Sequence, residues 1–169
     1  HAIKTSSGNI EYAIMNILRY NDSKTSLVFC GTRANVNHLT SRLNNRGFSV
    51  VSISGELSQK ERLNALSSIK SGRSNICVAT DVASRGIDLP NLDLVVHADL
   101  PKTKESLVHR SGRTGRAGKK GISIAIIHTR EMGRIREIER KGSISFNKQT
   151  IPNGLEICKT RLLTLIDKV

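Results

Sequence analysis

Between His109 and Gly121 the chain reads His109-Arg110-Ser111-Gly112-Arg113-Thr114-Gly115-Arg116-Ala117-Gly118-Lys119-Lys120-Gly121, with five cations and no carboxylate. Arg110, Arg113 and Arg116 recur every three residues, and Gly112, Gly115 and Gly118 keep step with them. On a helical turn that spacing stacks side chains on one face, so guanidinium groups converge. Guanidinium is planar and donates two hydrogen bonds at once to a phosphate. Each interior Gly costs a helix about 1 kcal/mol relative to Ala, so the helix is expected to end inside this segment. A solvated basic loop is the plain alternative. It would not need three arginines in register with three glycines, so polyphosphate recognition is the better reading.

A second set of residues lies at the ends of short apolar runs. Ser26-Leu27-Val28-Phe29-Cys30 is followed by Gly31-Thr32-Arg33, Phe48 to Ile53 by Ser54-Gly55, and Ile76-Cys77-Val78-Ala79 by Thr80-Asp81. In open parallel sheets, ligands bind outside the carboxyl ends of the strands. Gly permits close backbone approach, while Thr, Arg and exposed amides suit phosphates. The three clusters therefore predict a line of contacts along one sheet edge, long enough for a polymer backbone. Gly, Ser and Thr are also ordinary turn residues.

Charge points the same way. Of 169 residues, 27 are Lys or Arg and 14 are Asp or Glu, a net charge of +13. Such an excess favours a polyanion, because phosphate neutralisation releases counterions. An anionic membrane surface is the competitor, but no basic amphipathic helix or long apolar run supports it. Cys30, Cys77 and Cys158 have no metal-ligand spacing and read as reduced thiols of a cytoplasmic protein. No signal peptide is legible, and His1 in place of Met suggests a fragment of a longer protein.

The elements that must position these residues alternate. Ile10, Ile14, Ile17 and Leu18 predict a helix over about 9–20, and Val36, Leu39 and Leu43 a second one closed by Arg46-Gly47. Ser58 with Glu61 forms a capping box ahead of Leu63, Leu66 and Ile69. Thr80 to Pro90 is read as a loop, 92–97 and 122–127 as strands, and 103–112 as a helix between them. This alternation gives an α/β fold, a doubly wound parallel sheet flanked by helices. Residues 1–129 are read as the core. Residues 130–169 are the C-terminal part of the domain or an extension: a helix at Met132, Ile135 and Ile138, extended chain over 144–149, and a helix over 155–169.

With the residues in view, the chain resembles the C-terminal RecA-like half of DEAD-box RNA helicases. His109 to Gly118 is similar to the family's motif VI, and Ala79-Thr80-Asp81-Val82-Ala83-Ser84-Arg85-Gly86-Ile87-Asp88 to motif V. Leu27 to Arg33 resembles motif IV, and Gln59-Lys60-Glu61-Arg62 the QxxR element. All four stand in the family's order across residues 26–121. Two departures are Ser111, where the family usually has an aliphatic residue, and Gly31, where it often has Asn. Residues 130–140 and 151–161 resemble bacterial cold-shock-type members less specifically.

The resemblance implies a RecA-like fold and specific roles. Arg113 and Arg116 would be arginine fingers on the phosphates of ATP. Asp88 would hold the ribose hydroxyl, with a loop cap before Pro90 as its alternative. Arg85, His109 and Arg110 would join the ATP-binding and interdomain contacts. His109 titrates near neutrality and is weighed as a general base, but the resemblance implies that it couples the ATP and RNA sites. RNA backbone contacts would come from Thr32, Arg33, Gly55, Gln59, Arg62, Thr80 and Asp81. Asp81 is expected to accept from the 2′-OH, a way to tell RNA from DNA. Gln59 and Arg62 fall at the first and fourth helical positions, with a solvated face as their alternative. His97 and His128 are read as structural.

No GxxxxGK[ST] phosphate loop and no Asp-Glu-Ala-Asp string occur in the chain. The ligands of Mg²⁺, which accompanies ATP, are therefore expected from an N-terminal RecA-like domain, and this chain alone is expected to hydrolyse nothing. Two other readings stay open: an RNA-binding module that needs no arginine fingers, and half of a DNA helicase or translocase.

Overall fold

The computed structural model describes residues 1–5, 10–84, 89, 92–115, 120–142 and 144–166, and the statements below concern these. In chain order the elements are β1 (Ala2–Thr5), α1 (Ile10–Asn21), β2 (Ser26–Phe29), α2 (Arg33–Asn44), β3 (Val50–Ile53), α3 (Gln59–Lys70) and β4 (Ile76–Ala79). There follow α4 (Asp81–Ser84), β5 (Leu94–His97), α5 (Lys104–Ser111), β6 (Ile122–His128), α6 (Met132–Gly142), β7 (Lys148–Gln149) and α7 (Gly154–Ile166). A 3-10 turn, Thr129–Glu131, joins β6 to α6.

All seven strands are parallel, in the order β3-β4-β2-β5-β6-β1-β7. Every residue of β2, β4 and β5 is buried, which is why these segments read as unbroken apolar runs rather than alternating ones. Val28, Cys30, Val78, Val96 and Ile126 pack against α1 and α2 on one face. Leu27, Phe29, Cys77 and Val95 face the opposite way, with Ala65 and Ile69 of α3. On that same side Ala125 and Ile127 of β6 meet Leu107 of α5 and Ile135 and Ile138 of α6.

Burial pushes the Cys77 thiol up to about 12, and burial with the nearby Asp99 carboxylate does the same to Cys30. Both thiols are therefore core atoms rather than nucleophiles. At the far edge β7 pairs with β1, presenting Lys148 and Gln149 to solvent, which blunts the sheet edge. Helix α7 packs on α1, and Asn16 of α1 donates from Nδ2 to the Pro152 carbonyl at 2.8 Å.

Three segments differ from the sequence expectation. β1 was not legible, because four residues at the start of the chain carry too little pattern. Asp81–Ser84, read as loop, forms one helical turn. Only Lys148–Gln149 of the extended 144–149 stretch enters the sheet.

Candidate nucleotide and nucleic-acid interface

The three polar clusters sit at the carboxyl ends of β3, β4 and β2, which are neighbours in the sheet. Strands stand about 4.8 Å apart, so the line Gly55, Thr80, Thr32 crosses about 10 Å of one edge. Thr32 is the N-cap of α2, its hydroxyl accepting from the Asn35 amide at 3.2 Å. Arg33 opens that helix and pairs with Glu56 across the β2 and β3 loops, both side chains being exposed. At Gly55 nothing lies within 4 Å of where a Cβ would stand, so the edge is open there. Gly31 donates its amide to Asp99 at 2.6 Å, tying the ends of β2 and β5 together.

The capping box forms as the sequence predicts. Ser58 Oγ accepts from the Glu61 amide, and Glu61 accepts from the Ser58 amide at 2.8 Å. The Ser58 hydroxyl, which donates to Glu61 Oε2 at 2.7 Å, and then the Ser58 amide hold the Glu61 carboxyl below its usual range. Gln59 and Arg62 thereby occupy the first and fourth positions of α3, at the positive end of its dipole. Arg62 reaches across to donate from Nη2 to the Ala83 carbonyl at 3.1 Å, while its buried Nε has no partner among the described residues.

Arg110 turns into the domain, although it lines the same cavity as Arg113. It is only 5% exposed, and it donates from Nε and Nη2 to the two Asp81 carboxylate oxygens, both at 2.6 Å. Its Nη1 donates to the Asp99 carbonyl at 2.9 Å, and its guanidinium lies 5.1 Å from the Phe29 ring centroid. All three nitrogens are thus engaged within the chain. The physical reason is tertiary: the fold brings Asp81 and Phe29 under α5 as a charge partner and a π face. The same pairing balances the charge of the Asp81 carboxylate at the end of β4 with a guanidinium from α5.

Phe29 also stacks on His97, with ring centroids 6.0 Å apart and 16° between planes. Burial, reinforced by the Arg110 charge, lowers the His97 pKa to about 3, so this ring stays neutral. His97 is therefore a core residue, as read from the sequence. His128 caps the 3-10 turn, accepting at Nδ1 from the Arg130 amide at 3.2 Å.

Helix α5 ends where the glycines begin. Gly112 is its C-cap and Gly115 takes φ +68°, a left-handed conformation that favours Gly. Thr114 donates to the Leu92 carbonyl, and a Cβ on Gly121 would collide with Thr114 and the Gly115 amide. Arg113 stands in this turn. With His109, Arg110, Glu105, Ser106, Asp81, Ser84 and Phe29 it lines a cavity of about 160 Å³. The cavity is an open wall rather than a closed pocket. Arg85, Asp88 and Arg116 lie outside the described residues.

Sequence reasoning did not find the partners that organise this wall: Phe29, Asp99 and His97. Their signal was only position, each at the carboxyl end of a strand.

A parallel sheet with phosphate-suited residues along one carboxyl edge and an arginine turn beside it defines a RecA-like nucleotide-handling domain. Residues 10–118 match the family described as the helicase conserved C-terminal domain, and the chain belongs to it. Its relatives place it among the DEAD-box proteins. It is 35% identical over 165 residues to the ATP-dependent RNA helicase DbpA of Bacillus subtilis, an alignment covering 90% of this chain and 34% of that protein. It is similar to a DEAD-box protein of Methanococcus jannaschii, with TM-score 0.81, 38% identity, and coverage of 88% of this chain and 40% of the other. It is also similar to Saccharomyces cerevisiae Dbp5 bound to RNA and ADP BeF3, with TM-score 0.83, 25% identity, and coverage of 98% and 44%. The chain spans between about a quarter and a third of the length of the curated relatives it matches.

Proposed function

We propose that this chain is the C-terminal half of a cytoplasmic ATP-dependent RNA helicase, and that it works only when joined to an N-terminal RecA-like domain. The observation that carries the reading is one continuous edge: Gly55, Thr80 and Thr32 on neighbouring strands, running on to the cavity that Arg113 and His109 line. RNA would follow the strand ends through its backbone, with Thr32, Arg33, Gly55, Gln59, Arg62, Thr80 and Asp81 as its contacts. Backbone contacts position a nucleic acid without reading its sequence. Asp81 and Arg110 connect this edge to the cavity wall.

ATP with Mg²⁺ supplies the phosphoryl group whose transfer to water drives the cycle. The Mg²⁺ ligands are assigned to the partner domain. Arg113, in the turn after α5, and Arg116, three residues on in the sequence, act as arginine fingers: a guanidinium placed against the terminal phosphate stabilises charge that develops only during transfer. Such a residue is worth roughly 10³ to 10⁵ in rate. Arg85 and Asp88 complete the nucleotide contacts. Domain closure brings the arginines to the phosphates and bends the RNA, so that a short duplex loses a strand; release of products reopens the cleft.

The experiment is Arg116→Ala and Arg113→Ala in the full-length protein, with RNA-stimulated ATP hydrolysis measured beside RNA affinity at fixed salt. Collapse of hydrolysis with RNA binding nearly kept supports the helicase reading. Unchanged turnover, or none in the wild type, leaves an RNA-binding module instead.

A further inference from the structure

Ser111 stands where the family resemblance leads one to expect an aliphatic side chain, and its surroundings give the hydroxyl a use. It is the last residue of α5, half-buried, with its Oγ 2.8 Å from Ser123 Oγ on β6 and 3.4 Å from His97 Nε2 on β5. Ser123 Oγ in turn lies 3.0 Å from His97 Nε2. Three polar side chains from three elements thus meet at one point beneath the turn that carries Arg113. His97 is wholly buried, and its Nδ1 has no partner among the described residues. A buried N–H without an acceptor is rarer than a bare lone pair, so the ring proton is assigned to Nε2. His97 then donates to Ser123, and Ser123 is free to donate to Ser111. The ring's own place is fixed by its stacking on Phe29.

We propose that Ser111 is a positioning residue: its hydroxyl, held by Ser123 and His97, pins the last turn of α5 to the sheet and so sets the direction in which Arg113 enters the cavity. The turn depends on what precedes it. Gly112 donates to the Val108 carbonyl at 2.7 Å, Arg113 to the Arg110 carbonyl at 3.2 Å, and Thr114 to the Ser111 carbonyl at 3.1 Å. Those bonds keep their geometry only while the final helical turn is still. The catalytic part of the proposal rests on Arg113 being an arginine finger; the pinning itself does not.

The test uses Ser111→Ala, Ser123→Ala, the double variant and Ser111→Thr in the full-length protein. Misplacement of a group by a fraction of an ångström is expected to lower kcat for RNA-stimulated hydrolysis about tenfold in each alanine variant. KM for ATP and RNA affinity should stay within about twofold, because Arg113 acts on charge present only in the transition state. The double variant should lose no more than either single one, and Ser111→Thr, which keeps the hydroxyl, should recover most of the rate. A rate unchanged in Ser111→Ala, or lost equally in Ser111→Thr, overturns the positioning role. Amide hydrogen exchange at 112–114 reads the pinning without reference to ATP. Faster exchange in Ser111→Ala and slow exchange in Ser111→Thr support it, and unchanged exchange overturns it. Arg113→Ala beside these variants separates the two readings: wild-type turnover in that variant removes the finger, while the exchange result still decides the pin.

Discussion

Arg110 and Asp81 meet as a two-pronged ion pair, Nε to Oδ1 and Nη2 to Oδ2 both at 2.6 Å, across 29 residues of sequence. The pair joins the helix that ends in the arginine turn to the helical turn at the end of β4. A residue expected on the nucleotide side and one expected on the RNA side are therefore a single rigid unit.

Removing the carboxylate strands the guanidinium, which is almost fully buried. Breaking a buried pair costs several kcal/mol, but Asp81 is 39% exposed and water shares the loss, so Asp81→Ala is expected to destabilise by about 2 kcal/mol. Asp81→Asn keeps an acceptor and should lose about half of that. Urea unfolding of the three proteins checks the order. A neutral Asp81→Ala would mean that Phe29 and the Asp99 carbonyl alone hold Arg110.

His97 gives stability a pH dependence of known sign. Its pKa falls from an ordinary 6.5 to about 3 in the folded chain, chiefly through burial. Below pH 6.5 the unfolded chain takes up a proton that the folded chain refuses, so acid favours unfolding. The stabilisation is full above the unfolded pKa and is lost as pH falls toward the folded value, at about 1.4 kcal/mol per pH unit. Between pH 6.5 and 5, before carboxylates titrate, His97→Gln should flatten this slope. Unfolding midpoints at several pH values measure it, and an identical slope in both proteins would contradict a neutral buried ring.

The sheet, its parallel sense and the line of strand ends were legible because buried central strands spell themselves as runs such as Leu27-Val28-Phe29 and Ile76-Cys77-Val78-Ala79. The α3 capping box was legible for a similar reason: Ser58 and Glu61 interact locally. β1 was not, since its four residues gain their meaning from pairing with β6 and β7, far away in sequence. The inward turn of Arg110 was also hidden. Period three puts Arg110 and Arg113 on one stripe, but the helix stops between them, and only the fold brings Asp81 and Phe29 under the first arginine.

Gly121 illustrates a constraint that lies outside the arginine turn and yet shapes it. A methyl group there would fall on the Thr114 side chain and on the Gly115 backbone amide. Gly121→Ala is expected to cost about 2 kcal/mol, the usual range for overpacking, and to lower hydrolysis in the full-length protein along with it. Thr114→Ala should not rescue it, because the backbone collision with Gly115 remains. Rescue would show that the turn relaxes more easily than its φ of +68° at Gly115 suggests.

Gly55 and Arg33 separate two kinds of contribution to RNA binding. Gly55 has open space where a Cβ would go and no positive φ, so Gly55→Ala should leave stability within about 0.5 kcal/mol of wild type. If RNA passes against the backbone there, the added methyl weakens affinity several-fold at every salt concentration, leaving the salt slope unchanged. Arg33 is exposed and paired with exposed Glu56, a bond that a phosphate can replace at little cost. Arg33→Ala should therefore weaken binding most at low salt and reduce the slope of log affinity against log salt by about 0.7, the value for one phosphate on a single strand. A salt titration of both variants in the full-length protein decides it. A slope change in Gly55→Ala, or none in Arg33→Ala, would move the RNA path away from the β2 and β3 ends.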